Sequence, residues 1–120
     1  MAYILVIDDD MELLKLLRDL LTSLGHEPWV TDDAGSGVPL VNTGAFDVAL
    51  IDVMMPEVEG WDILAQRDSL KTKAILMSGY RNKKKNALKK GAVDFLSKPF
   101  GREDLKTAIN AAINGMRERN

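Results

Sequence analysis

The chain is expected to fold as a doubly wound α/β domain, a five-stranded parallel sheet with helices flanking it. Five short apolar runs alternate with longer stretches whose apolar residues recur at helical spacing. Strand and helix repeating in that order imply parallel strands joined by crossover helices. The runs are also continuous in apolar residues, as expected of strands covered on both faces.

The elements follow in chain order. "YILVI" (Tyr3 to Ile7) is short, continuous and bounded by acids. Leu13, Leu14, Leu17, Leu20, Leu21 and Leu24 then trace one helical face, ended by Gly25. "PWVT" (Pro28 to Thr31) is the second strand, "FDVALI" (Phe46 to Ile51) the third, "KAILMS" (Lys73 to Ser78) the fourth and "VDFLS" (Val93 to Ser97) the fifth. A closing helix carries the stripe Leu105, Ala108, Ile109, Ala112, Ile113 and Met116. Between the second and third strands, "AGSGVPLVNTG" sets Gly35, Gly37 and Pro39 against helix formation, so a short or irregular helix is expected there. These patterns do not give the strand order.

Composition bounds the rest. With 120 residues, 46% hydrophobic and 28% charged, the chain suits one globular domain over residues 1–120. It has no cysteine, which excludes disulfides and thiolate metal sites, and no signal-like or membrane-length apolar run; a cytoplasmic setting is expected. Net charge is only -2, but residues 1 to 68 hold 14 Asp/Glu against 3 Lys/Arg, and residues 69 to 120 hold 4 against 13. That overall balance gives no reason to propose nucleic acid as ligand.

In a parallel sheet of this kind the carboxyl ends of the strands share one edge, and ligands bind where the winding reverses. The polar residues at those ends are Asp8, Asp9 and Asp10 after strand one, Asp52 after strand three, Ser78 after strand four and Lys98 after strand five. Asp10 directly precedes the leucine-rich helix and reads as its N-cap. Carboxylates about 5 Å apart at an effective dielectric near 20 repel by roughly 3 kcal/mol per pair, so something positive has to hold the others. Lys98 can neutralise one charge. A donor set of oxygens without His or Cys suits a hard, partly hydrated divalent cation, Mg²⁺ better than Ca²⁺.

The acids of "DDD" after "ILVI", the "DVMMP" and following Gly60 around Asp52, "LMSG" with Ser78, and "GAVDFLSKPF" with Lys98 before Pro99 resemble the receiver domain of two-component response regulators. The resemblance covers nearly the whole chain. It implies a flavodoxin-like sheet in the order 2-1-3-4-5. It implies further that Asp52 is the phospho-acceptor, that Asp9 and Asp52 ligate Mg²⁺ with the Met54 carbonyl, and that Asp8 holds the ion through water. Lys98 would pair with the phosphoryl group, Ser78 would donate a hydrogen bond to it, and Phe95 would be the aromatic that turns inward on activation. The Lys98–Pro99 bond is cis in the family. A sensor histidine kinase or phosphotransfer protein is the implied donor, with an effector domain or downstream protein as recipient and a homodimer among the assemblies such domains form. No direct contact with nucleic acid or membrane is implied, and no enzymatic turnover beyond the domain's own phosphorylation and dephosphorylation.

The chemistry agrees with that implication, since a carboxylate attacking phosphorus needs in-line positioning and charge neutralisation. Ser78 keeps the hydroxyl of the threonine common in the family. An aspartyl-phosphate hydrolase would need a second acid where this chain has Met54, and a flavin phosphate would be repelled by "DDD". Pro56 and Gly60 read as the turn that brings a carbonyl back towards the cation. Trp29 and Trp61 read as packing residues, and His26 as part of a turn. "RNKKKNALKK" (Arg81 to Lys90) gathers six of the sixteen basic residues, either as a solvated face or beside the family's partner-binding surface.

Overall fold

The computed structural model describes residues 1–55, 60–65 and 72–118, and of Trp61, Ala65 and residues 116–118 the backbone alone. The expectations for Pro56, the Trp61 ring and the Met116 side chain fall outside that set. In chain order the elements are β1 (Tyr3–Ile7), α1 (Met11–Ser23), β2 (Glu27–Thr31), α2 (Ala34–Asn42), β3 (Val48–Asp52), α3 (Gly60–Ala65), β4 (Lys73–Ser78), a 3-10 turn (Arg81–Lys83), α4 (Lys84–Lys89), β5 (Asp94–Ser97) and α5 (Arg102–Glu118). All strand pairs are parallel, in the order β2-β1-β3-β4-β5, which is the order the resemblance implies.

The apolar runs form central strands because both of their faces are covered. Ile4, Val6, Val48, Leu50, Ile75 and Met77 pack on one side with Leu14, Leu17, Leu21 of α1 and Leu105, Ala108, Ile109 of α5. Leu5, Ile7, Ala49, Ile51, Ala74 and Leu76 pack on the other with Val41, Ile63, Leu64 and Ala87 from α2, α3 and α4. Leu17 is fully enclosed in the first layer, so Leu17→Ala would cost about 2–5 kcal/mol in lost transfer energy and cavity. β2 is one of the two edge strands, only partly covered.

α1 is bounded by local chemistry. The Asp10 carboxylate accepts from the Glu12 and Leu13 amides at 3.0 and 3.2 Å, satisfying two of the free amides of the first turn. At the other end Gly25 adopts φ 87°, its amide donates to Thr22 O, and the His26 amide donates to Leu21 O. This is a Schellman closure, which takes glycine at the left-handed position.

α2, where a short or irregular helix is expected, is a nine-residue helix with Pro39 inside. Asp33 caps it, accepting from the Gly35 amide at 3.0 Å and from Ser36 Oγ at 3.0 Å. The glycine that opposes helix in isolation is required by packing, because a Cβ on Gly37 would lie 2.5 Å from Ile7 Cδ1. Close approach to β1 outweighs the propensity cost of about 1 kcal/mol per glycine.

Trp29 packs less deeply than a core residue. It is 58% exposed on the edge strand, touching Phe46 edge to face with centroids 6.2 Å apart. It contributes little to the core because, among the described residues, no element covers that end of β2.

Candidate functional site at the sheet's switch point

β1 and β3 are neighbours from which the chain winds in opposite directions, so the crevice at their carboxyl ends is the switch point. Register sets what meets there. Ile7 pairs with Ile51, which brings Asp8 and Asp52, the next residue of each strand, level with one another. Asp52 pairs with Met77, and Ser78 with Ser97, so the Ser78 hydroxyl and the chain leading to Lys98 border the same crevice.

Asp8 is fully buried and Asp52 is 4% exposed, whereas Asp9 faces solvent. One carboxylate oxygen of each lies within 4.8 Å of those of the other two. Lys98 closes the arrangement from the loop after β5. Its Nζ lies 2.7 Å from Asp8 Oδ2 and 3.4 Å from Asp52 Oδ1. The Lys98 amide donates to Ser78 O at 2.7 Å, anchoring that loop to β4, and Lys98–Pro99 is cis. Asp8 Oδ1 accepts from the Asp10 amide at 2.9 Å, so the run "DDD" divides its work between metal-type donors and a helix cap.

Asp52 itself accepts from the Met54 amide at 3.3 Å, and Ser78 Oγ accepts from the Tyr80 amide at 3.1 Å. Met54 and Tyr80 are 46% and 60% exposed. Phe95 on β5 is buried. Gly60, first residue of α3, comes so close behind the site that a Cβ there would sit 2.5 Å from Asp52 O. Its glycine identity is thereby tied to close approach to β3, beyond the turn expected there.

Electrostatics separate the two buried acids. Burial pushes the Asp52 carboxyl up to about 6, Asp8 adds to the rise, and Lys98 and the Met54 amide oppose it. Burial acts to lower the Lys98 amine, but the hydrogen bond and charge of Asp8, with the charge of Asp52, outweigh it and hold the amine above the ordinary lysine range. The lysine is therefore a fixed cation whose principal partner is Asp8. The sequence leads to the expectation that Lys98 neutralises one of the clustered charges without indicating which; the structure pairs it with Asp8.

The donor set fits a hard divalent ion. It consists of three convergent carboxylates without imidazole or thiolate, one solvent-facing and two buried. A further positive charge would also relieve the repulsion that raises Asp52.

A parallel sheet wound 2-1-3-4-5 with acids and one lysine at its switch point is the architecture of CheY-like signalling domains. The sequence profile of the response regulator receiver domain matches residues 4–110, and the chain belongs to that family. Accepting a phosphoryl group is the family's function. Transcriptional regulatory protein SpaR of Bacillus subtilis is 32% identical over 116 residues, covering 94% of this chain and 52% of that protein. Response regulator protein TodT of Pseudomonas putida is 36% identical over 116 residues, covering 93% and 51%. The chain thus spans about half the length of these relatives. Among solved structures, a receiver domain protein from Clostridium thermocellum superposes with a TM-score of 0.90 at 32% identity, covering 100% of both chains. A CheY-like receiver from Methanospirillum hungatei gives 0.90 at 27% identity, covering 100% and 99%. Among the described residues no helix is long and apolar enough to cross a membrane.

Proposed function

We propose that Asp52 is the phospho-acceptor of this receiver, taking a phosphoryl group from a phosphohistidine on a sensor kinase or phosphotransfer protein. The observation that carries the reading is the Asp52 carboxylate itself. It lies at the end of β3, nearly buried, with the Lys98 ammonium 3.4 Å from one oxygen. An Asp52 oxygen attacks phosphorus, the phosphorus–nitrogen bond to the imidazole breaks, and an acyl phosphate remains. With a pKa of about 6, Asp52 is ionised at neutral pH and keeps its lone pairs for attack. Its burial excludes bulk water from the nucleophile, and the Met54 amide fixes one oxygen so that the other is presented.

The residues that would hold Mg²⁺ are Asp9 and Asp52 with the Met54 carbonyl, and Asp8 behind them. When bound, the ion supplies positive charge for the phosphoryl oxygens. Lys98 supplies a second, permanent charge, held in place by Asp8. The Ser78 hydroxyl, at the end of β4, is the donor that turns to the phosphoryl group, and Phe95 is the aromatic through which β5 reads that movement. The domain acts as a switch whose output passes to an effector domain or a downstream protein in the cytoplasm.

Incubation with a small phosphodonor and intact-mass measurement tests the metal-dependent part. One added phosphoryl group is expected with Mg²⁺ and none after EDTA; equal labelling in both would remove the metal from the proposal.

A further inference from the structure

The oppositely charged halves of the sequence are carried to opposite edges of the sheet, and each edge presents a surface whose chemical complement lies on the other. At the β2 edge, away from the switch point, Tyr3, Trp29, Leu40 and Phe46 line an open groove of about 390 Å³. Glu27 is exposed, pairs in register with Tyr3, and projects to the same face as Trp29 two residues on. Asp47 lies beside Tyr3, accepting its amide at 2.9 Å. The groove also borders the carboxyl end of α2, whose last turn holds no basic residue and so presents the negative end of the helix. From Asp19 to Gln66 the sequence contains no Lys or Arg. An aromatic wall with carboxylates and a helix carboxyl end around it is built for a cation on an apolar stem.

The β5 edge carries the reverse. Residues 69 to 93 contain no Asp or Glu, and the 3-10 turn and α4 present Arg81, Lys84, Lys85 and Lys89 to solvent, with Leu88 41% exposed among them. This segment works against itself locally. Lys84 and Lys85 sit in the first turn of α4, where the dipole favours anions, and Lys83 offers no side-chain cap. Lys85 and Lys89, four residues apart, repel along one face.

We propose that this chain associates head to tail, the α4 strip of one copy seated in the Trp29 groove of the next. Leu88 meets the aromatic wall, and lysine ammonium groups meet Glu27 and Asp47. A symmetric contact at the β2 edge is disfavoured, because a two-fold axis would set acids on acids there. Strand-to-strand pairing at β2 is hindered by Pro28, which has no amide to donate. With a net charge of only -2, whole-molecule repulsion is too weak to keep copies apart. Each copy keeps one free groove and one free strip, so the assembly grows with concentration and weakens as salt screens its charges.

Sedimentation velocity on the full chain at millimolar concentration tests this. At low ionic strength the weight-average mass is expected to exceed the monomer and to rise with concentration, returning to monomer in high salt. Trp29→Ala disables the groove and Lys85→Glu/Lys89→Glu disables the strip, and each alone is expected to be monomeric. Their equimolar mixture is expected to form a one-to-one dimer that grows no further, since one intact groove and one intact strip remain. All three substituted positions are exposed, and circular dichroism checks that the fold persists; Glu27→Lys serves as the groove variant if Trp29→Ala does not fold. A monomeric wild type at low salt would overturn the proposal, as would single variants that associate like wild type or a mixture that stays monomeric. Wild type dissociated by a lysine-rich peptide, with the mixed variants still monomeric, would assign the groove to a foreign basic segment and overturn it too.

Discussion

Lys98 reaches across 90 residues of sequence to place its Nζ 2.7 Å from Asp8 Oδ2, nearer than the 3.4 Å that separates it from Asp52. The cation at the switch point is thus held by an acid that is not the proposed acceptor. Asp8 has no solvent with which to exchange that partner.

Removing the lysine leaves Asp8 buried and unpaired. Breaking buried pairs costs 3–5 kcal/mol, and because Lys98 is itself partly exposed, Lys98→Met is expected to lose about 2 kcal/mol in urea unfolding with EDTA present. Asp8→Asn/Lys98→Met should recover most of the loss, and Mg²⁺ should narrow it. A Lys98→Met protein as stable as wild type would show that the pair contributes nothing to the fold.

Asp52 makes stability depend on pH in a stated direction. Its folded-state pKa of about 6 lies above the ordinary 3.8, so between those values the folded chain holds a proton that the unfolded chain has released. The resulting stabilisation is fully present below pH 3.8 and is lost as pH rises through 6. Asp52→Asn cannot titrate. Its stability relative to wild type, without metal, is expected to grow between pH 4 and 6 by about 2 kcal/mol and to level off above. A difference that stays flat across that window would mean that Asp52 is not destabilised by burial.

Metal should act on the fold by mass action. A hundredfold excess of Mg²⁺ over its dissociation constant should stabilise wild type by about 2.7 kcal/mol. Asp9 is exposed and supports no described part of the core, so Asp9→Ala should leave the metal-free protein as stable or more stable while weakening the response to Mg²⁺ strongly. Unchanged affinity in that variant would take Asp9 out of the ligand set.

The lifetime of the acyl phosphate is expected to be long. Water must approach in line behind phosphorus, and the positions that flank that approach in receiver domains hold Met54 and Tyr80 here, neither an acid nor an amide that could orient it. Met54→Asn with Tyr80→Ala should shorten the lifetime about tenfold, equivalent to roughly 1.4 kcal/mol of barrier. Decay at the wild-type rate would show that access to phosphorus does not limit hydrolysis.

The parts of this molecule legible in its sequence are those where one strong term dominates. Strands covered on both faces read as unbroken apolar runs, and acids at their carboxyl ends have one edge to share, so Asp8, Asp9, Asp52, Ser78 and Lys98 could be gathered before any coordinates. α2 was obscured because its glycines lower helix propensity while Gly37 is what lets the helix approach Ile7, a tertiary effect with no local signature. Trp29 packs on Phe46 as expected, but how far it stays exposed on the edge strand could not be read from the sequence, because that depends on the tertiary neighbours of β2. Which acid of "DDD" would take the lysine depends on the register of β1 against β3 and on the loop anchored by Ser78 O, neither of which the run itself encodes.

The most direct test of Asp52 as acceptor is to locate the phosphoryl group itself. After reaction with a small phosphodonor and Mg²⁺, the acyl phosphate can be trapped by borohydride reduction and the chain digested for peptide mass analysis. The modification is expected in wild type on the peptide containing Asp52 and nowhere else, and Asp52→Asn should remain unlabelled. Label on another residue, or undiminished labelling of Asp52→Asn, would contradict the account.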